Sequence, residues 1–237
     1  MKILAVDSSS LTASVAVVED EITIAEYTVN YKKTHSQTLL PMLDEIVKMT
    51  EQDLATVDGI ALAAGPGSFT GLRIGSATVK GLAQALNKPV IPVPTVDGLA
   101  GNLYGTDKLI CPLMDARRNQ TYTGLYEYEK QEDTYVLHCI RKQCAVDLLE
   151  ILEDVNKLGR EVIFLGDGVP VFKDTIKEKV TVPHTFAPNT CNRQRAAVIG
   201  LLGMQLLKQG VCESAKVHAP EYLRLSQAER ERMERGC

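Results

Sequence analysis

The sequence predicts an α/β protein of two lobes, the second smaller than the first. Three observations carry that expectation. The chain opens with three short apolar or alternating runs joined by tight turns. Strand and helix patterns then alternate. After a polar, glycine-containing stretch at 101–106, strands resume as though the first arrangement were partly repeated. At 237 residues the chain has room for two domains of roughly 100 residues each.

Each element follows in order. Residues 3–6 are a short apolar run, the mark of a buried strand, and Asp7-Ser8-Ser9-Ser10 is a turn signal. Residues 14–18 are apolar and β-branched and make a second strand; residues 22–27 alternate and make a third. A helix is expected over 35–49. Residues 61–64 form a buried strand that runs into Gly65-Pro66-Gly67-Ser68-Phe69-Thr70-Gly71, and a small-residue helix follows to about 86. A strand at 89–93 and a helix beginning at Thr95 complete the set. The order β-β-β-α-β-α-β-α is that of an actin-like, ribonuclease H-like lobe. A dinucleotide-binding fold would alternate strand and helix from the start.

The second lobe is expected to be a reduced copy. Strands are predicted at 109–113, 121–128, 135–140 and 161–165, with helices at 144–152 and 194–207. The resulting division is a first lobe over 1–103, a smaller one over 104–225, and a charged tail over 226–237 that reads as a solvated or frayed helix.

Composition narrows the function. Hydrophobic residues are 45% and charged residues 24%, ordinary for a globular protein. Aromatics are 5% and Trp is absent, which argues against stacking platforms for single-stranded nucleic acid. The net charge of −4 argues against gripping nucleic acid alone. The six cysteines include no CxxC pair and no zinc spacing. The first strand meets an acid too early for a signal peptide, and no run reaches membrane length. A cytoplasmic protein with reduced, mostly buried thiols is expected.

Three motifs could carry function. Asp7, Ser8 and Ser9 at the first turn offer an acid and hydroxyls, the groups that hold phosphate oxygens and hydrated magnesium; an ordinary polar turn has the same composition. The loop from Gly65 through Gly67 and Ser68 to Gly75 is neither GxGxxG nor a Walker loop. Its glycines permit close approach of a ligand, with Ser68 or Thr70 capping the next helix, or they serve packing of the helix holding Gly71, Gly75 and Gly81. The third is the wide apolar stripe of the helix from His35: Leu39, Leu40, Met42, Leu43, Ile46, Val47 and Met49. Either one side of it meets the core and another a partner, or the helix lies deep between two layers. The four histidines are scattered, and no metal cluster or nucleophile–base pair can be read from the spacing.

Taken together, the chain resembles the TsaB (YeaZ) family. The resemblance rests on Asp7-Ser8-Ser9 with Ala13-Ser14-Val15-Ala16-Val17, His35-Ser36-Gln37 with Leu40-Pro41, and the whole Gly65 to Gly75 motif. Pro94-Thr95 with Leu99-Ala100, Asp115-Ala116-Arg117-Arg118 and Pro220-Glu221-Tyr222-Leu223-Arg224 extend it nearly end to end. It implies an actin-like (ASKHA) fold and a complex with TsaD, the threonylcarbamoyl transferase that forms t6A next to the tRNA anticodon, and with the small ATPase TsaE. Aligned on TsaD relatives, Thr95 and Leu99 stand where those carry two metal-binding histidines. Neither can replace imidazole.

The resemblance therefore implies a non-catalytic subunit with no catalytic residues and no metal. It needs no cofactor alone, with ATP or ADP in the complex, and meets tRNA only through the complex. Its partner face is expected on two helices, at His35, Leu39, Leu43, Ile46, Thr70, Arg73 and Gly75, and the free protein is expected to self-associate there. A sugar-kinase-type ATPase or phosphotransferase using Asp7 is the alternative, with Gly166-Asp167-Gly168 its sole second glycine loop. A homodimeric protease is a third reading.

Overall fold

The computed structural model describes residues 1–20 and 22–224. The expected tail at 226–237, and Cys237 with it, lie outside the described residues.

The first half runs β1 (Lys2–Asp7), β2 (Ala13–Glu19), β3 (Ile22–Val29), α1 (His35–Thr50), β4 (Gly59–Gly65), α2 (Phe69–Leu86), β5 (Val90–Pro94) and α3 (Thr95–Ala100). Its sheet has the order β3-β2-β1-β4-β5. The meander pairs are antiparallel and the β1–β4 and β4–β5 pairs are parallel, which is why helices must intervene between the latter. Every residue of β4 is buried, as befits a central strand covered on both faces. Successive residues of β1 alternate between those faces. Leu4 and Val6 pack with Leu39, Leu43 and Ile46 of α1, while Ile3 and Ala5 pack with Ile199 and Met204.

The second half runs β6 (Leu109–Asp115), β7 (Gln120–Gln131), β8 (Thr134–Asp147), α4 (Leu148–Leu158), β9 (Val162–Leu165), α5 (Val169–Lys179), β10 (His184–Phe186) and α6 (Ala196–Lys208). Its sheet has the order β10-β9-β6-β7-β8. That is the path of the first sheet repeated element for element, so the fold is actin-like and duplicated. The expectation of a partial copy is corrected, because α5 and β10 complete it. What is reduced is helix length: α4 and α5 have 11 residues each, against 16 and 18 for α1 and α2.

Other boundaries differ from the sequence reading. Residues 144–147 end β8 instead of beginning a helix, and Asp147 caps α4 by accepting from the Leu149 amide. The helix α6 lies within the span expected for the second lobe, yet it packs on β1, β2, β4 and β5 of the first sheet. In turn α3 touches both β4 and β6, and so links the sheets. Of the five described cysteines only Cys111 is buried, which corrects the expectation of mostly buried thiols; Cys139 and Cys212 are exposed. Burial pushes the Cys111 thiol up to about 12, so it is inert.

Candidate functional site

The turn after β1 and the loop after β4 meet. Asp7, Ser8 and Ser9 are all buried there. The Asp7 carboxylate accepts from the Ser9 amide at 2.9 Å and the Ser9 hydroxyl at 2.7 Å. The Ser8 hydroxyl donates to the Gly71 carbonyl. The Ser68 amide donates to the Ser9 carbonyl, and the Ser68 hydroxyl caps α2 by accepting from the Gly71 amide.

Glycine is required here by the protein's own backbone. A methyl at Gly67 would lie 2.3 Å from the Ser9 carbonyl oxygen, and one at Gly65 would lie 2.2 Å from that of Glu221. At Gly71 and Gly75 it would meet Ser8. The close approach that these glycines allow is thus filled from within. Of the residues expected at a phosphate, the Ser9 hydroxyl and amide are bonded to Asp7, the Ser68 amide to Ser9, and the Ser8 and Ser68 hydroxyls to Gly71.

Burial lifts the Asp7 carboxyl from 3.8 to about 6, against the pull of both Ser9 hydrogen bonds and with help from the negative charge of Asp167. Asp167 follows β9. Its own carboxyl is raised by burial, with Arg193 opposing and Asp115 adding to the rise. The Ser10 hydroxyl donates to Gln194 at 2.8 Å. Asp167 Oδ1, Arg193 Nη1 and Gln194 Nε2 are buried with no hydrogen-bond partner among the described residues. Turns from both halves therefore converge on one polar centre.

Sequence reading missed Asp115, Arg193 and Gln194 as members of that centre. A signal existed for one of them. Asp115 closes β6 as Asp7 closes β1, and each accepts from the amide two residues on; the internal repeat could have paired them. Nothing in the spacing points to Arg193 or Gln194. The second glycine loop is also filled from within, since a methyl at Gly166 would stand 2.2 Å from the Leu113 carbonyl oxygen. Among the described residues no group of three or more His, Cys, Asp or Glu is placed to hold a metal ion.

The expected partner face divides in two. Leu39, Leu43 and Ile46 are core residues, and His35 is buried with its Nε2 2.7 Å from the Ser10 carbonyl. Gly75 is buried against Ser8. These five are corrected: one face of α1 and of α2 must cover the first sheet. Thr70 and Arg73 are exposed, as are Leu40 at 57% and Met49 at 76%. The Arg73 Nε donates to the Tyr222 hydroxyl at 3.2 Å, and Phe69 and Tyr222 stack with centroids 4.5 Å apart.

Thr95 and Leu99 both sit inside the protein. The Thr95 hydroxyl accepts from the Gly65 amide at 3.1 Å, and Leu99 packs among Ile110, Met114 and Tyr126.

Comparison with known proteins places this duplicated fold. The protein named tRNA threonylcarbamoyladenosine biosynthesis protein TsaB from Bacillus subtilis is 35% identical over 234 residues, covering 97% of this chain and 96% of its own. The chain belongs to the TsaB family. The protein of the same name from Haemophilus influenzae is 34% identical over 80% of this chain and 81% of its own length. Residues 23–232 match the family described as TsaD: tRNA N6-adenosine threonylcarbamoyltransferase, so the TsaB-family chain shares its framework with that transferase family. The solved structure of YeaZ from Pseudomonas aeruginosa superposes with a TM-score of 0.77 at 24% identity, over 94% of this chain and 100% of that one, and shows the same fold.

Proposed function

We propose that this TsaB-family chain serves the formation of N6-threonylcarbamoyladenosine in tRNA as a non-catalytic subunit that binds and supports a TsaD-like transferase. The observation that carries this reading is the filled turn. The hydroxyls of Ser8, Ser9 and Ser68 and the close approach at Gly65 and Gly67 are spent on the chain itself. Thr95 and Leu99, where the transferase relatives carry metal-binding histidines, are a hydrogen-bond acceptor to the Gly65 amide and a core residue. Support without catalysis requires a contact surface, and α1 and α2 offer Leu40, Met49, Thr70 and Arg73 on their outer faces.

In this reading the transferase supplies the metal and the reacting groups. A TsaE-like ATPase completes the assembly, and any ATP or ADP used sits outside the Asp7–Ser9 turn and the Gly65–Ser68 loop. The free chain self-associates through the face the transferase later takes. tRNA is met only through the complex, in the cytoplasm. Among the described residues no helix is long and apolar enough to cross a membrane.

The test is reconstitution with purified components. The chain alone, given tRNA and threonylcarbamoyl-adenylate, should modify no tRNA. With a TsaD-like transferase it should co-elute and raise modification. Turnover by the pure chain would overturn the non-catalytic assignment, and failure to co-elute would overturn the partner assignment.

A further inference from the structure

The segment 220–224 touches both halves of the molecule. On the first half, the Glu221 amide donates to the Ala64 carbonyl at the end of β4, at 2.7 Å. Tyr222 lies flat on Phe69 of α2, 4° from parallel, and accepts from Arg73. On the second half, Leu223 packs in the cluster holding Met114, Ala116 and Tyr122. The Arg224 guanidinium donates to the Ala116 carbonyl at the β6–β7 turn. Gln143 of β8 ties the two sets together: its amide donates to the Glu221 carboxylate at 2.8 Å and to the Gly65 carbonyl at 3.2 Å.

Gly65 shows that the fit is specified. It adopts φ +129°, and a side chain there would strike the Glu221 carbonyl oxygen. The first glycine of the loop is therefore shaped to the far end of the chain. The two sheets share no strand pairing among the described residues. The helix α3 joins them from within, and the 220–224 segment joins them again from outside.

We propose that residues 220–224 form a clasp that sets the closure of the two lobes, so that the chain's own segment does what a bound ligand would otherwise do. Removing either set of anchors should let the lobes move apart around α3 without unfolding either sheet. Local opening of this kind is read by amide hydrogen exchange.

The reporters are the Gly65 amide in the first lobe, bonded to Thr95, and the Ala116 amide in the second, bonded to the Gln120 carbonyl. In the full chain, Leu223→Ala with Arg224→Ala, and separately Gln143→Ala, should each raise exchange at both reporters by about tenfold or more. Amides of β1 and α6 should keep parental rates. If residues 221–224 exchange freely while both reporters keep parental rates, the clasp is overturned. If the double variant unfolds outright, Gln143→Ala decides alone: faster exchange at Gly65 and Ala116 supports the clasp, and parental rates overturn it.

Discussion

The Ser8 hydroxyl reaches the carbonyl of Gly71 at 2.9 Å and so ties the first turn of the chain to the first turn of α2. The contact exists because Gly71 has no side chain. A methyl there would stand 2.1 Å from the Ser8 carbonyl oxygen, whereas one at Gly81, farther along the same helix, meets nothing within 4 Å among the described residues. The two substitutions should therefore act in opposite directions. Gly71→Ala should destabilise the fold by several kcal/mol, on the order of overpacking a core or more. Gly81→Ala should stabilise it by about 0.5–1 kcal/mol through helix propensity. Urea denaturation of both variants checks this; equal effects would mean that Gly71 has room the contact denies it.

Asp7 sets a second expectation, in pH. Burial raises its carboxyl from 3.8 to about 6. The folded pKa is above the unfolded one, so the folded state binds the proton more tightly. Stability from this group is gained as pH falls through about 6 and is complete near 4; above 6 the buried carboxylate opposes folding. That opposition is on the order of 3 kcal/mol at neutral pH. Asp7→Asn keeps an oxygen for Ser9 and removes the charge. It should be more stable than the parent by about 1–3 kcal/mol near pH 8 and equal to it near pH 4. A difference that does not change with pH would show that the carboxyl is not the cause.

How far the sequence could be read follows from these residues. The strands and the helices at 35–49 and 70–86 were legible because each is strongly apolar in its own period. The helix α5 was not, since only Val169, Phe172 and Ile176 of its 11 residues are buried; nor was the three-residue β10. The identity of the glycine loop was legible and its use was not. A glycine admits a ligand and a neighbouring backbone equally, and only the fold shows that Ser9 and Glu221 fill the space. The burial of Asp7 was not legible, because a turn sequence carries no sign of what will cover it. The face of α1 was lost for the same reason: Leu39 and Leu40 are equally apolar, and their burial is decided by a sheet whose strands lie on either side of the helix in sequence.

Tyr126 offers a test inside the contact between α3 and the second sheet. Its hydroxyl donates to Asp97 at 2.7 Å, and the ring is fully buried. Burial raises the Asp97 carboxyl while the Tyr126 bond lowers it. Tyr126→Phe leaves a half-buried carboxylate short of a donor and should cost about 1–3 kcal/mol at neutral pH. Without the donor the Asp97 carboxyl rises further, so the cost should shrink as pH falls and the group is protonated. Thermal melts of both proteins at two pH values check the direction. A cost that grows toward acid would contradict the assigned bond.

The two sides of α1 give the last expectation. Leu43 is 4% exposed and packs with Leu4, Val15 and Val17, whereas Leu40 is 57% exposed and Met49 76%. Leu43→Ala should cost about 2–5 kcal/mol, and Leu43→Glu should not fold, because a carboxylate there has neither water nor a partner. Leu40→Glu and Met49→Glu should each stay within about 0.5 kcal/mol of the parent. If the outer faces of α1 and α2 receive the transferase, at least one of these two should lose it in a pull-down while its circular dichroism is unchanged. If one face serves both contacts, light scattering on the free variant should show the same loss of self-association. Seams between helices close to about 8–10 Å between axes, which leaves no water for a new carboxylate. Two folded variants that both still bind would place the interface away from α1.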